Sequence, residues 1–288
     1  HHCDHFKSIC LKLNNNLFDF QRLSKNQQLR ILGRLNQIKN KLVRSDVRVL
    51  CTGLLSEVAH SILNDQQQVK EISQTLFAEL FRAVDKGSIT EINYKAREIS
   101  VIIDYQENKD AVIADIANCW KEFSDKLISK RWRARIANTS LAALHSIAER
   151  LLLSAEHLPK NVPYKDGPLE HIPKIIYNLL LFSCQKNQST RVHELIIVVR
   201  RLLDVHSENT PFVHDVLQNL NSVLNEEIFV PTFGERNQSP PLSESKKHHM
   251  LKFRELFEVL DQHLPSLQDK KLALSLKVKC ANLPAPLP

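Results

Sequence analysis

From Ser24 onward the chain falls into apolar-periodic blocks of about twenty residues, each the length of one helix and its turn, and nearly every block opens on a helix-start signal. Candidate starts stand near Ser24, Ser45, Asp65, Ser88, Asn108, Thr139, Leu169, Ser189 and Thr210. The chain has only 5 glycines, where average usage of roughly 7% would supply about twenty. Gly-dependent hairpins and phosphate-cradling loops therefore lack their raw material. The expectation is an all-α fold of antiparallel helix pairs, stacked as an irregular HEAT/armadillo-like solenoid or packed as a multi-helix bundle.

Local signals place the elements. Ser24-Lys25-Asn26-Gln27 is a capping box, in which hydroxyl and amide satisfy backbone N–H groups that a helix start leaves unpaired. It precedes Leu29, Ile31, Leu32, Leu35, Ile38 and Leu42 at helical spacing. Val47 to Ile62 and Val69 to Val84 form the next two amphipathic blocks, with Asn64-Asp65 between them. Lys86-Gly87 reads as a helix C-terminus and Ser88-Ile89-Thr90-Glu91 as a second capping box. Starts from Ser24 to Asn108 thus recur as helix pairs with a period of roughly forty residues, which resembles HEAT or armadillo spacing.

Proline punctuates the second half. Residues 159–168 carry three prolines and one glycine, which forbid a continuing helix and mark the best internal boundary. An N-terminal helical stack over 1–158 and a C-terminal helical subdomain over 169–288 follow from it. Pro173 suits a first helical turn, and Thr210-Pro211 reads as a capping hydroxyl before a first-turn proline. Residues 231–247 are Pro/Ser/Asn-rich without periodicity and read as a flexible loop. Final helices are expected over about Met250 to His263 and Ser266 to Ala281.

Charged residues make up 25% and hydrophobic residues 43% of the chain, values of an ordinary globular protein, and the formal net charge is +7. The 6 cysteines are scattered without metal or redox spacing and read as buried free thiols of a reducing compartment. No apolar run approaches the eighteen or so residues that span a bilayer, so the expected setting is intracellular, cytoplasmic or nuclear. The chain opens on His1 and its single methionine is Met250, which reads as a fragment of a longer protein.

The densest positive segment is Lys126, Lys130, Arg131, Arg133 and Arg135 around Trp132, on a helix whose inner face carries Trp120, Phe123 and Leu127. Positions 126, 130 and 133 share one side, so three cations could meet a phosphate backbone or an acidic partner. Arg191, Arg200 and Arg201 on a later helix could extend this edge. His193, His214-Asp215 and Asp261 resemble in their order the ligands of HD-type metal-dependent phosphohydrolases, but Val216-Leu217-Gln218 follows where that family has a small turn. Asp215 is simpler as a first-turn acid and His193 as a helix-surface residue. His1, His2, Cys3 and His5 belong to a chain end, and His248-His249 to a polar helix start. No nucleophile motif and no cofactor motif is found.

The expected role is non-enzymatic: an adaptor or complex subunit that offers an extended helical surface to a protein partner, with the net charge favouring an acidic one. A helical-repeat nucleic-acid binder using the basic edge is the alternative. A phosphohydrolase and a bacterial effector are weaker ones.

Overall fold

The computed structural model describes residues 2–39, 41–42, 44–106, 109–128, 138–228 and 243–281. Among them the fold is all-helical, with 13 α-helices packed on one another and no strand. Two compact units divide the chain. The first holds His1–Phe123 and Lys130–Leu151, the second Ser124–Ser129 and Leu152–Pro288.

The first unit begins with two helices that carry no sequence signal of their own, α1 (His2–Asn15) and α2 (Leu17–Gln21). They are followed by α3 (Lys25–Lys39), α4 (Ser45–Leu63), α5 (Gln66–Lys86), α6 (Ile89–Tyr105), α7 (Lys109–Ile128) and α8 (Asn138–Glu156), of which α7 from Ser124 and α8 from Leu152 belong to the second unit. The start signals act as read. Gln27 N–H donates to Ser24 Oγ at 3.3 Å and Ser24 N–H to Gln27 Oε1 at 3.0 Å, the full reciprocal box. Asp65 accepts from Gln68 N–H at 3.3 Å. The second box closes only by half: Ser88 Oγ accepts from Glu91 N–H at 3.5 Å, while the Glu91 carboxylate turns to Arg30. Packing centres on α4 and α6: α6 lies against α3, α4 and α5, and α4 also against α1. The reason is in the residues. From Glu98 to Ile103 every side chain of α6 is buried, and a helix covered all round must have neighbours on every side. Cys10 of α1 and Cys51 of α4 lie buried together, and burial pushes the Cys51 thiol up to about 12, so it stays protonated.

The second unit continues with α9 (Ile172–Gln185), α10 (Ser189–Val205), α11 (Thr210–Val223), a π-helical turn (Leu224–Ile228), α12 (Glu244–His263) and α13 (Leu267–Ala281). All side chains of α9 from Ile172 to Cys184 except Lys174 are buried, so α9 is the core helix of this unit. It packs on α10 and α11; α10 then packs on α12, α11 on α13, and α12 on α13. Before α9, the proline-rich segment makes a turn in which Gly167 N–H donates to Tyr164 C=O at 3.2 Å. Only glycine fits at 167, because a Cβ there would lie 1.9 Å from the Pro163 carbonyl oxygen.

Two helix starts differ from the sequence reading. Asn209, not Thr210, caps α11, accepting from Phe212 N–H at 3.4 Å, so Thr210 is already helical. Ser243 caps α12 through Lys246 N–H at 3.3 Å, and the helix therefore begins at Glu244 rather than near Met250. The residues 231–242 of the expected loop lie outside the described residues.

Candidate functional site

Of the basic edge, Lys130, Arg131, Arg133 and Arg135 lie outside the described residues, as does the side chain of Lys126 on α7. Arg191, Arg200 and Arg201 stand on α10, and each has a carboxylate: Arg191 pairs with Glu194 at 2.8 Å, Arg200 with Asp204 at 4.0 Å and Arg201 with Glu156 at 3.0 Å. Each pair has at least one side chain 43% exposed or more, and such pairs contribute about 0–1 kcal/mol each. Their charge is spent locally.

The histidine and aspartate positions are not drawn together. His214 Nδ1 lies 3.1 Å from Asp269 Oδ1 across α11 and α13, Asp215 accepts from the Tyr164 hydroxyl, and Asp261 pairs with Lys277 at 3.6 Å. His193 sits on α10, and its buried Nδ1 has no hydrogen-bond partner among the described residues. Each acid faces a different neighbour, and among the described residues no three His, Cys, Asp or Glu side chains gather where they could hold a metal ion. His249 is also not a polar helix start: it is buried, its Nε2 3.1 Å from Ser189 Oγ at the start of α10.

The charged cluster that the fold does build lies between α3, α5 and α6. Lys95 Nζ stands 2.6 Å from Glu79 and 3.1 Å from Glu98, whose side chain is only 2% exposed; Arg30 reaches Glu98 at 3.8 Å and Glu91 at 3.4 Å. Burial pushes the Glu98 carboxyl above its usual range, with Lys95 and Arg30 pulling it back. Burial also opposes the Lys95 charge, but the hydrogen bonds that its ammonium donates to Glu79 and Glu98 outweigh it and raise its pKa. Beside this cluster, a cleft of about 600 Å³ between α3 and α6 holds Arg34, Tyr94 and Arg97. The sequence shows these residues on separate helices and carries no signal that α3 meets α6 across two intervening helices.

A second unread surface is on α13. Ala273, Leu276 and Cys280 bury one face against the unit, while Leu267, Leu274 and Val278 are 67%, 47% and 50% exposed at positions i, i+7 and i+11. That spacing aligns them on one outward stripe. Lys271 stands within the stripe, exposed and without an ion pair among the described residues. Periodicity hides this feature, since apolar residues on both faces cancel the amphipathic pattern.

No family model matches the sequence, and no characterised protein is significantly similar to it. Among the described residues no helix is long and apolar enough to cross a membrane.

Proposed function

We propose that this chain is a non-enzymatic helical interaction module, a subunit or adaptor of an intracellular assembly in the cytoplasm or nucleus, and that α13 is its docking helix. The observation that carries this reading is the outward stripe Leu267, Leu274 and Val278 on a helix whose opposite face is already packed. Three large apolar side chains aligned at helical spacing leave surface that a partner's apolar face would remove from water, at about 25 cal/mol per Å². Lys271 in the middle of the stripe sets the partner's chemistry: an amphipathic segment with acidic residues beside its apolar ones. We read the packing of α9 on α11 and α11 on α13, with α10 on α12, as layered helix pairs, and such layers present extended surfaces to partners. Cys10, Cys51 and Cys280 are buried free thiols, which suits a reducing compartment.

The test is capture of partners by the purified chain from lysate, with and without nuclease, comparing wild type with Leu274→Glu plus Val278→Glu. Both side chains are exposed, so circular dichroism should stay unchanged. The expected outcome is a defined, nuclease-resistant protein set that the double variant loses. Capture retained by the variant, or abolished by nuclease in the wild type, refutes the α13 reading.

A further inference from the structure

Among the described residues, Arg34 and Arg97 are the two guanidinium groups of the α3–α6 face without a carboxylate in ion-pair reach. Arg30, their neighbour in the same cleft, spends its charge on Glu91 and Glu98 and lays its guanidinium over the Tyr94 ring, 4.3 Å from the centroid. Arg34 bonds, among the described residues, to the neutral amide of Gln37, at 2.9 Å. Arg97 approaches the same Tyr94 ring at 5.8 Å and has no carboxylate in ion-pair reach among the described residues. Burial first, and then the nearby Arg34 charge, lower the Arg97 pKa, with Tyr94 opposing.

Arg97 also lines a second cleft, of about 420 Å³, with Gln37, Lys41, Asn93, Ser146 and Arg150. Arg150 there is neutralised by Asp104, whereas Lys41 is exposed and without an ion pair among the described residues. Polar amides and a hydroxyl thus surround a surplus of positive charge. The close seating of α3 on α6, with Gly33 against the Arg97 backbone, fixes the distance between the two helices that carry the arginines.

We infer that the α3–α6 clefts bind a small phosphorylated ligand, a phosphomonoester or a pyrophosphate group, held between the guanidinium groups of Arg34 and Arg97. Charge decides the class. A phosphomonoester carries about −1.5 to −2 near neutral pH, which balances two guanidinium ions, whereas one carboxylate would leave the second arginine unsatisfied. The planar N–H fork of arginine matches phosphate oxygens two at a time, and several oxygens allow two arginines to share one group. Clefts of about 600 and 420 Å³ match a small molecule and are short for a polymer track.

Isothermal titration of the full chain with inorganic pyrophosphate, in low-salt buffer free of phosphate and sulfate, tests this. Wild type is compared with Arg34→Gln, Arg97→Gln and Arg97→Lys, and with Arg200→Gln as a control that removes one charge from a paired arginine. The expected result is one pyrophosphate bound per chain, weakened roughly tenfold or more by Arg34→Gln and by Arg97→Gln. Arg97→Lys should restore part of the loss, and Arg200→Gln should change affinity less than about twofold. Arg34 is exposed, so its variant keeps the test valid even where Arg97→Gln disturbs packing. Absence of binding, an equal loss in Arg200→Gln, or tighter binding of citrate than of pyrophosphate overturns the assignment. Affinity for thymidine oligonucleotides that rises with their length and exceeds that for pyrophosphate would overturn it too, in favour of a nucleic-acid track.

Discussion

Gly33 of α3 meets the backbone of Arg97 of α6: a Cβ placed on Gly33 would lie 3.1 Å from both the carbonyl carbon and the Cβ of Arg97. Alanine at 33 therefore pushes on a helix backbone, not on a flexible side chain. That crowding costs roughly 1–3 kcal/mol, against a helix-propensity gain of about 1 kcal/mol. Gly53 in α4 is the internal control, because nothing lies within 4 Å of its added Cβ. Thermal or urea unfolding should show Gly53→Ala more stable than wild type and Gly33→Ala less stable. Equal gains from both would mean that α3 and α6 are not in this close contact.

The end of α5 depends on a left-handed glycine. Gly87 has φ 68°, and the bonds Gly87 N–H to Val84 C=O at 3.0 Å and Ser88 N–H to Ala83 C=O at 2.9 Å close the helix in a Schellman arrangement. Gly87→Ala should lower stability by about 1–2 kcal/mol, since a Cβ clashes in this region. Gly87→Asn should recover part of it. Ser88→Ala, which removes the cap of α6, should cost about 1 kcal/mol. Denaturant midpoints with unchanged slopes would check all three.

His249 makes stability depend on pH. Burial, reinforced by His248, holds its pKa below the ordinary 6.5, so the folded protein favours the neutral ring. A depressed pKa contributes stability that is complete above the unfolded value of about 6.5 and is lost as pH falls through the lower native value. Unfolding free energy should therefore fall below about pH 6.5, and His249→Gln should flatten that fall. Ser189→Ala should keep the slope, because it removes the hydroxyl partner and leaves the ring buried. A slope unchanged in His249→Gln would assign it to other groups.

His206 closes the end of α8 from a distance in sequence. Its fully buried ring places Nε2 2.8 Å from the Ala155 carbonyl oxygen, and since a carbonyl only accepts, that nitrogen carries the proton. The ring also packs edge-on against Phe212, with centroids 5.7 Å apart. His206→Ala removes both contacts and leaves a void, so a loss of roughly 2–4 kcal/mol is expected in urea unfolding. A change under about 0.5 kcal/mol, the size of an ordinary surface substitution, would contradict this placement.

How far the sequence could be read follows from the range of the interactions involved. The starts at Ser24, Asp65 and Ser88 and the stop at Gly87 were legible because caps are bonds between residues three or four apart. Errors came where two local signals competed: Asn209 outranked Thr210, and Ser243 opened α12 inside a segment whose composition reads as loop. The candidate sites were less legible. Arg191, Arg200 and Arg201 read as a positive edge, but Glu156, Glu194 and Asp204 compensate them, and Glu156 comes from another helix. The stripe on α13 escaped because its inner face is apolar as well.

The sequence by itself determined the helices from Ser24 onward and most of their ends, since glycine scarcity, 3.6-residue periodicity and caps all act within one turn. Only the tertiary structure decided that α6 rests on α3, so that Arg34, Tyr94 and Arg97 share a cleft, and that Leu267, Leu274 and Val278 face outward. Those outcomes depend on which apolar faces find one another across dozens of residues, and apolar burial is non-directional: it rewards any cover, and the particular neighbour is chosen by shape and by which charges can be paired.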